Sequence, residues 1–211
     1  SNRSKGSFMK AKIITITREF GSGGRTVGKL TAQQLGYDFY DWNLVTEIAK
    51  ESGFAQSFVE ENLEDAQNYV PWLFNMQSIG SDLSDQLFAA QRRVILELAE
   101  KGNCVIVGRC ADYILRNRSD VLNCFIYAQE EAKKKRIVHE YGETEVKIDK
   151  RLKDKDRKRK AHYEYYTSRK WGKAFYYDIC LDSGRLGIEN CVQAIIGVAE
   201  NFPGIPRENE D

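Results

Sequence analysis

The sequence predicts an α/β domain in which a parallel sheet is covered by helices on both faces. Three observations carry that prediction. Short, largely apolar runs alternate with helix-patterned segments along the chain, as strands buried on both sides do. A glycine cluster stands between the first such run and the first helical segment, where a turn can feed the chain into a helix N-terminus. The 211 residues suit one domain and are enough for a full hydrophobic core.

The elements follow in order. Ala11-Lys-Ile-Ile-Thr-Ile-Thr17 is short, β-branched and apolar, and reads as a central buried strand. Phe20 to Gly24 is turn chemistry. From Arg25, the apolar positions Val27, Leu30, Ala32 and Leu35 approximate helical spacing, and Gly36 supplies a stop. Tyr37 to Tyr40 reads as a second strand, closed by Asp41. Trp42 to Lys101 reads as wholly helical, its clearest stripe being Leu83, Leu87, Phe88, Val94, Ile95 and Leu98. Cys104 to Val107 is a third strand, ended by Gly108 and followed by a helical piece, Ala111 to Leu115. Val121 to Tyr127 is a fourth strand and Glu130 to Glu140 a helix. A long polar helix runs from about Thr144 to Arg169. Tyr177 to Leu181 is a fifth strand, and a last helix places Ile188, Cys191, Val192, Ile195, Ile196 and Ala199 on one face. The segments expected to move are the helical insert after Asp41 and the charged stretch Lys147 to Lys173.

Composition excludes several classes. A formal net charge of +1 implies neither a strongly basic nucleic-acid binder nor an acidic tail. No apolar run approaches the ~20 residues of a membrane-spanning helix. Ser1 to Phe8 lack the apolar core of a secretory signal. They read as an expression remnant with a frayed start, Met9 as an initiator, and 9–211 as a single domain. Cys104, Cys110, Cys124, Cys180 and Cys191 form no CxxC pair, so they read as reduced, mostly buried thiols of a cytoplasmic protein.

Chemistry is most legible in Thr17-Arg-Glu-Phe-Gly-Ser-Gly-Gly-Arg-Thr26. Glycines permit the backbone angles that let successive N–H groups converge on one anion, and the helix start adds free donors and partial positive charge. Gly21, Ser22, Gly23, Gly24, Arg25 and Thr26 are the candidate phosphate cradle. Arg25 can fork two phosphate oxygens, and the Thr26 hydroxyl is placed for Mg²⁺. Against the P-loop pattern G-x-x-x-x-G-K-[ST], Gly24-Arg25-Thr26 sits where G-K-T is expected, but Glu19 replaces the leading glycine and Arg25 the lysine. A turn with only a structural role is the alternative.

With these residues in view, the chain resembles the cytidylate-kinase-like family, a branch of the P-loop nucleoside monophosphate kinases. The resemblance runs from Ile13 to Ile196. It is carried by Ile16-Thr-Arg-Glu-Phe-Gly-Ser-Gly-Gly-Arg25, where that branch has arginine for the P-loop lysine, by Leu35-Gly-Tyr-Asp-Phe-Tyr-Asp41, and by Val105-Ile-Val-Gly-Arg109. Asp156, Arg159, Tyr163, Tyr166, Thr167, Trp171-Gly172 and Tyr177-Asp178 complete it. The resemblance implies a P-loop kinase-type three-layer α/β/α fold, with a five-stranded parallel sheet in the order 2-3-1-4-5. It also implies transfer of the ATP γ-phosphoryl group to a nucleoside monophosphate, with Mg²⁺ required. The insert at about 42–101 would cover the acceptor, and the segment at about 143–173 would act as a lid. Cytidylate kinases carry an acidic residue just after the strand-three arginine; here that position is Cys110. The Asp41-Trp42-Asn43 turn also lacks their small-residue pattern, so the acceptor stays open.

Other residues keep two readings. Arg109 sits where open α/β sheets bind ligands, directed either at acceptor phosphate or at an acidic neighbour. Asp41 contacts the acceptor or Mg²⁺, or caps the following helix. Glu19 pairs with an arginine such as Arg18 or assists Mg²⁺ through water. His139 and His162 show no metal spacing. In the charged segment, Arg157 or Arg159 would swing onto the transferring phosphoryl group. Otherwise the segment is a solvated helix, or a nucleic-acid surface in which cations are followed by Tyr163, Tyr165 and Tyr166. The functional reading is an ATP-dependent phosphotransferase acting on a nucleoside monophosphate or related small acceptor. Its rivals are a nucleotide-binding regulator without efficient catalysis and a nucleic-acid-binding protein.

Overall fold

The first apolar run becomes β1 (Ile13–Arg18), the central strand of a five-stranded sheet. The structure is a computed structural model that describes residues 10–51, 81–142 and 147–207. After β1 come α1 (Gly24–Leu35), β2 (Asp38–Tyr40), α2 (Trp42–Glu51), α3 (Ser81–Lys101), β3 (Cys104–Val107) and α4 (Ala111–Ile114). Then follow β4 (Val121–Tyr127), α5 (Glu130–Tyr141), α6 (Ile148–Thr167), a 3-10 turn (Ala174–Tyr176), β5 (Ile179–Asp182), α7 (Ser183–Leu186) and α8 (Ile188–Glu200). The strand order is β2-β3-β1-β4-β5 and every pairing is parallel. Ile13 stands opposite Cys104 on one side and Val121 on the other.

Alternation along the strands divides the core into two layers. Ile13, Cys104 and Ile106 pack with Val45, Ile95, Leu98 and Tyr163 beneath α2, α3 and α6. Ile14, Ile16, Val105, Val107 and Ile126 pack with Val27, Cys191 and Ile195 of α1 and α8. On the face of the first layer the Thr15 hydroxyl donates to Asn123 at 2.6 Å. All five cysteines are free thiols, and all but Cys180 are buried.

Several boundaries differ from the sequence reading, and at the following ones a side chain or turn takes over the backbone. The second strand starts at Asp38, not Tyr37: Gly36 turns left-handed to end α1, and the Tyr37 N–H is spent on the Ala32 carbonyl at 2.8 Å. The fifth strand starts at Ile179, because the Tyr177 N–H closes the 3-10 turn onto Ala174. It ends at Asp182, whose carboxylate caps α7 through the Gly184 and Arg185 N–H groups. The long polar helix ends at Thr167, where Ser168 takes a left-handed φ of 57°. Of the helix expected over 42–101, residues 52–80 lie outside the described residues, as does Thr144.

The connection from β1 runs to β2 on one side of the sheet and the connection from β3 runs to β4 on the other, so the carboxyl ends of β1 and β3 border the crevice where open α/β sheets bind ligands.

Candidate active site

β1 delivers the chain into the glycine turn, and the turn delivers it to α1. Gly23 precedes the helix with φ 75° and ψ 11°, a left-handed geometry that costs a side-chain-bearing residue about 1–2 kcal/mol. The first hydrogen bond of α1 runs from the Val27 N–H to the Gly23 carbonyl at 2.9 Å. The N–H groups of Gly24, Arg25 and Thr26 therefore stand ahead of the ladder, at the positive end of the helix dipole. A Cβ on Gly24 would lie 2.5 Å from the Cβ of Arg18, so only glycine lets the helix start this close to the strand end.

The outer side of the loop is tied down. The buried Ser22 hydroxyl donates to the Glu19 carbonyl at 2.8 Å, and Arg136 donates to the Gly21 carbonyl at 2.6 Å. Glu19 proves to be a brace rather than a partner of Arg18. Its carboxylate accepts from the Ala128 N–H at 3.2 Å and from Lys133 at 3.1 Å. Asp156 of α6 accepts from the Phe20 N–H at 2.6 Å and lies 3.7 Å from the same lysine. The loop is thus fastened beside β4, α5 and α6, while the Gly24, Arg25 and Thr26 N–H groups stay ahead of the helix ladder.

The candidate residues divide by position. Arg25 and Thr26 are exposed on the first turn of α1. Arg25 Nε donates to Asp41 at 2.7 Å. Asp41, 6% exposed, also accepts the Leu44 N–H at 3.1 Å, so it caps α2 and holds Arg25 together. Gly108, Arg109 and Cys110 take consecutive positive φ angles of 82°, 56° and 56°. For the two non-glycine residues that geometry costs about 1–3 kcal/mol each and is characteristic of ligand sites. It turns Arg109 over the Trp42 ring at 5.1 Å and within 3.3 Å of His162. Burial pushes the Arg109 pKa down to about 10. Arg159 lies across the loop, donating to the Arg18 carbonyl at 3.3 Å with its guanidinium 5.5 Å from the Phe20 ring centre. Arg157 is not brought there: its side chain is 74% exposed and pairs with Asp154 on the outer face of α6.

Two residues at this edge were given no place in the site by sequence reasoning. Arg18, the last residue of β1, lies against both Gly24 and Gly108; a cation directly before a glycine turn was the available signal. His162 contacts Arg109 and the Cys110 thiol, the latter at 3.7 Å. Burial, and then Arg109, lowers its pKa to about 3, so its ring is neutral. No sequence pattern marks it.

The charged segment is anchored at its C-terminal half. Tyr163 is buried and donates to the buried Asp112 at 2.7 Å, while Tyr166 stacks on Phe88 and donates to Asp85. Of the three tyrosines, Tyr165 alone is exposed.

A family model, that of the cytidylate kinase-like family, matches residues 13–185. The chain belongs to that family. A cytidylate kinase of Archaeoglobus fulgidus is 26% identical to it over 197 residues, covering 89% of this chain and 94% of the relative. An uncharacterized protein from Eubacterium ventriosum has a similar structure, with a TM-score of 0.69 and 28% identity over 89% of this chain and 97% of that one. A shikimate kinase from Bacteroides thetaiotaomicron shares the fold at TM-score 0.55 and 18% identity, covering 89% and 98%. At the level of the family, the chain is a phosphotransferase of the nucleotide or small-molecule kinase type. Among the described residues no helix is long and apolar enough to cross a membrane.

Proposed function

We propose that this protein transfers the γ-phosphoryl group of ATP, with Mg²⁺, to a nucleoside monophosphate or a related small acceptor. The observation that best supports this is the helix start, where three N–H groups converge beside an exposed threonine and two arginines. The cradle fits a triphosphate. Magnesium takes most of its oxygen ligands from phosphates and water. The Thr26 hydroxyl is therefore a sufficient protein ligand, and no cluster of three or more acidic, histidine or cysteine ligands occurs among the described residues. Held by the Thr26 hydroxyl, the ion would supply positive charge against the negative charge that develops on the phosphates.

In this mechanism the backbone of Gly21, Ser22, Gly23 and Gly24 fixes the donor phosphates, with Arg25 gripping an outer oxygen. Asp41 and Arg109 orient the acceptor. An acceptor oxygen attacks the γ-phosphorus in line as the β–γ bridging bond breaks and ADP departs. Catalysis is positioning and electrostatics. Arg159, already across the loop, meets the charge on the transferring group; Arg157 would join it only after movement of α6, whose N-terminal half serves as the lid. A cytoplasmic setting, with free thiols, goes with this reading.

One observation favours a second reading, a nucleotide-binding regulator. Arg25, in the place of the P-loop lysine, is held by Asp41 rather than turned to the loop. A coupled ATP-consumption screen over nucleoside monophosphates and small metabolites, with Gly24→Val as control, separates the two. The kinase reading expects Gly24-dependent ADP formation with at least one acceptor. ATP binding without turnover on any of them supports the regulator.

A further inference from the structure

Arg109 is gripped by neutral groups. Among the described residues no ion pair links it to a carboxylate; its guanidinium carbon stands 5.1 Å from the Trp42 ring centre and its Nη1 3.3 Å from His162 Nε2. A guanidinium only donates, so the Nε2 that it meets must accept, and the ring hydrogen then sits on Nδ1. Nδ1 faces the Cys110 sulfur at 3.7 Å, a weak acceptor that suits that hydrogen. Both ring nitrogens are thus engaged by the two consecutive residues that leave β3 with positive φ.

The ring is itself fixed. Phe88 meets it edge to face with ring centres 6.1 Å apart, and the Tyr166 ring lies 4.9 Å away. Tyr166 in turn stacks on Phe88 and donates to Asp85, so α3 and α6 share the clamp. Arg159 and His162 are three residues apart on α6 and lie on one face of it. The face that carries Arg159 to the glycine loop therefore also carries His162 to Arg109. Burial, and then Arg109, lowers the His162 pKa to about 3, so the imidazole stays neutral, and able to accept, at neutral pH.

We propose that His162 is a positioning residue for Arg109: its neutral imidazole, set by Cys110 and packed against Phe88 and Tyr166, aims the guanidinium and leaves its charge whole. A carboxylate could also orient an arginine, but it would compete with an anionic acceptor for the same donors and the same charge. A neutral nitrogen takes one of the guanidinium's five N–H donors and cancels no charge. An arginine already aimed loses little further freedom when the acceptor arrives. This deepens the kinase reading and rests on it for the ligand of Arg109; the hold of His162 on Arg109 stands apart from it.

Two measurements test it. The first is the long-range proton–nitrogen NMR spectrum of the histidine rings in wild-type protein at neutral pH, with His139→Gln to assign the two. It should show His162 with its hydrogen on Nδ1 and a bare Nε2. A hydrogen on Nε2, or on both nitrogens, would set donor against donor and overturns the proposal. The second is steady-state kinetics on the acceptor that a screen of nucleoside monophosphates returns. His162→Phe keeps a flat ring and removes the accepting atom. It should raise KM for the acceptor by about 2- to 12-fold, the effect of having to order one long side chain on binding, with kcat and KM for ATP unchanged. His162→Gln, whose amide oxygen can accept in place of Nε2, should return the acceptor KM close to the wild-type value. A merely structural histidine would show both variants altered alike, or a loss of active protein with KM unchanged. Either result overturns the proposal, as does a wild-type KM in His162→Phe. If no acceptor is turned over, the kinase reading falls alone, and the ring hydrogen still decides whether His162 holds Arg109.

Discussion

Replacing Asp41 with alanine removes two interactions, and replacing it with asparagine separates them. One carboxylate oxygen caps α2 through the Leu44 N–H and the other holds Arg25. A cap of this kind contributes about 1 kcal/mol. The Arg25 side chain is 59% exposed, so solvent screening reduces the ion pair to about 0.2–1 kcal/mol. Asp41→Ala should therefore cost about 1–2 kcal/mol in all. At about 2–4 °C per kcal/mol for a domain of this size, the thermal midpoint should fall by roughly 2–8 °C. Asparagine keeps the capping oxygen, so Asp41→Asn should lower the midpoint by less than about 4 °C. It also releases Arg25 towards the donor phosphates, so ATP affinity should hold or tighten. Arg25→Ala should instead weaken ATP binding by about 10- to 150-fold. Thermal melts and calorimetry read all three variants. Equal midpoints for Asp41→Ala and Asp41→Asn would refute the cap. Weakened ATP binding in Asp41→Asn would show that Asp41 holds Arg25 in its working position rather than away from it.

The half-buried, neutral His162 ties stability to pH. Its pKa is about 3 in the fold against about 6.5 unfolded, so the unfolded chain binds the extra proton and stability falls as pH drops from about 6.5 towards 3. The loss should reach about 1 kcal/mol by pH 5.5, and His162→Gln should flatten denaturation midpoints across that window; an unchanged slope would contradict the burial of this ring. Arg157→Ala should lower kcat far less than Arg159→Ala, which should reduce it on the order of 100-fold with little change in affinity for ATP alone; steady-state kinetics with calorimetry decide. In hydrogen exchange, residues 158–167 should be slow because Tyr163 and Thr167 are buried. Residues 147–157 should be faster and gain protection only when ATP and acceptor are both bound; equal protection throughout, with and without ligands, would make α6 a fixed helix.

What was legible in the sequence was what short-range physics specifies. Ile13 to Ile16 announce a strand through their β-branched, apolar character, and Gly21 to Gly24 announce a turn because few other residues tolerate it. Strand order came from the family resemblance, since no local pattern says that β3 and β4 flank β1. The charged groups of the site were harder to read because their partners are remote in the chain. Glu19 is explained only by Ala128 and Lys133, which meet it when β4 and α5 fold beside the loop. His162 became a site neighbour because α6 crosses the end of β3. Arg157 and Arg159 look alike in sequence, and helical phase separates them, turning one to solvent and the other to the loop.

The most direct test of the central claim is a single-turnover experiment with γ-labelled ATP, enzyme in excess, Mg²⁺, and each nucleoside monophosphate in turn. The account predicts label on the phosphate of at least one acceptor, as a nucleoside diphosphate, in amounts matching the ADP formed and lost in Arg159→Ala and Gly24→Val. Label released only as inorganic phosphate, or retained in bound ATP with every acceptor, would contradict it.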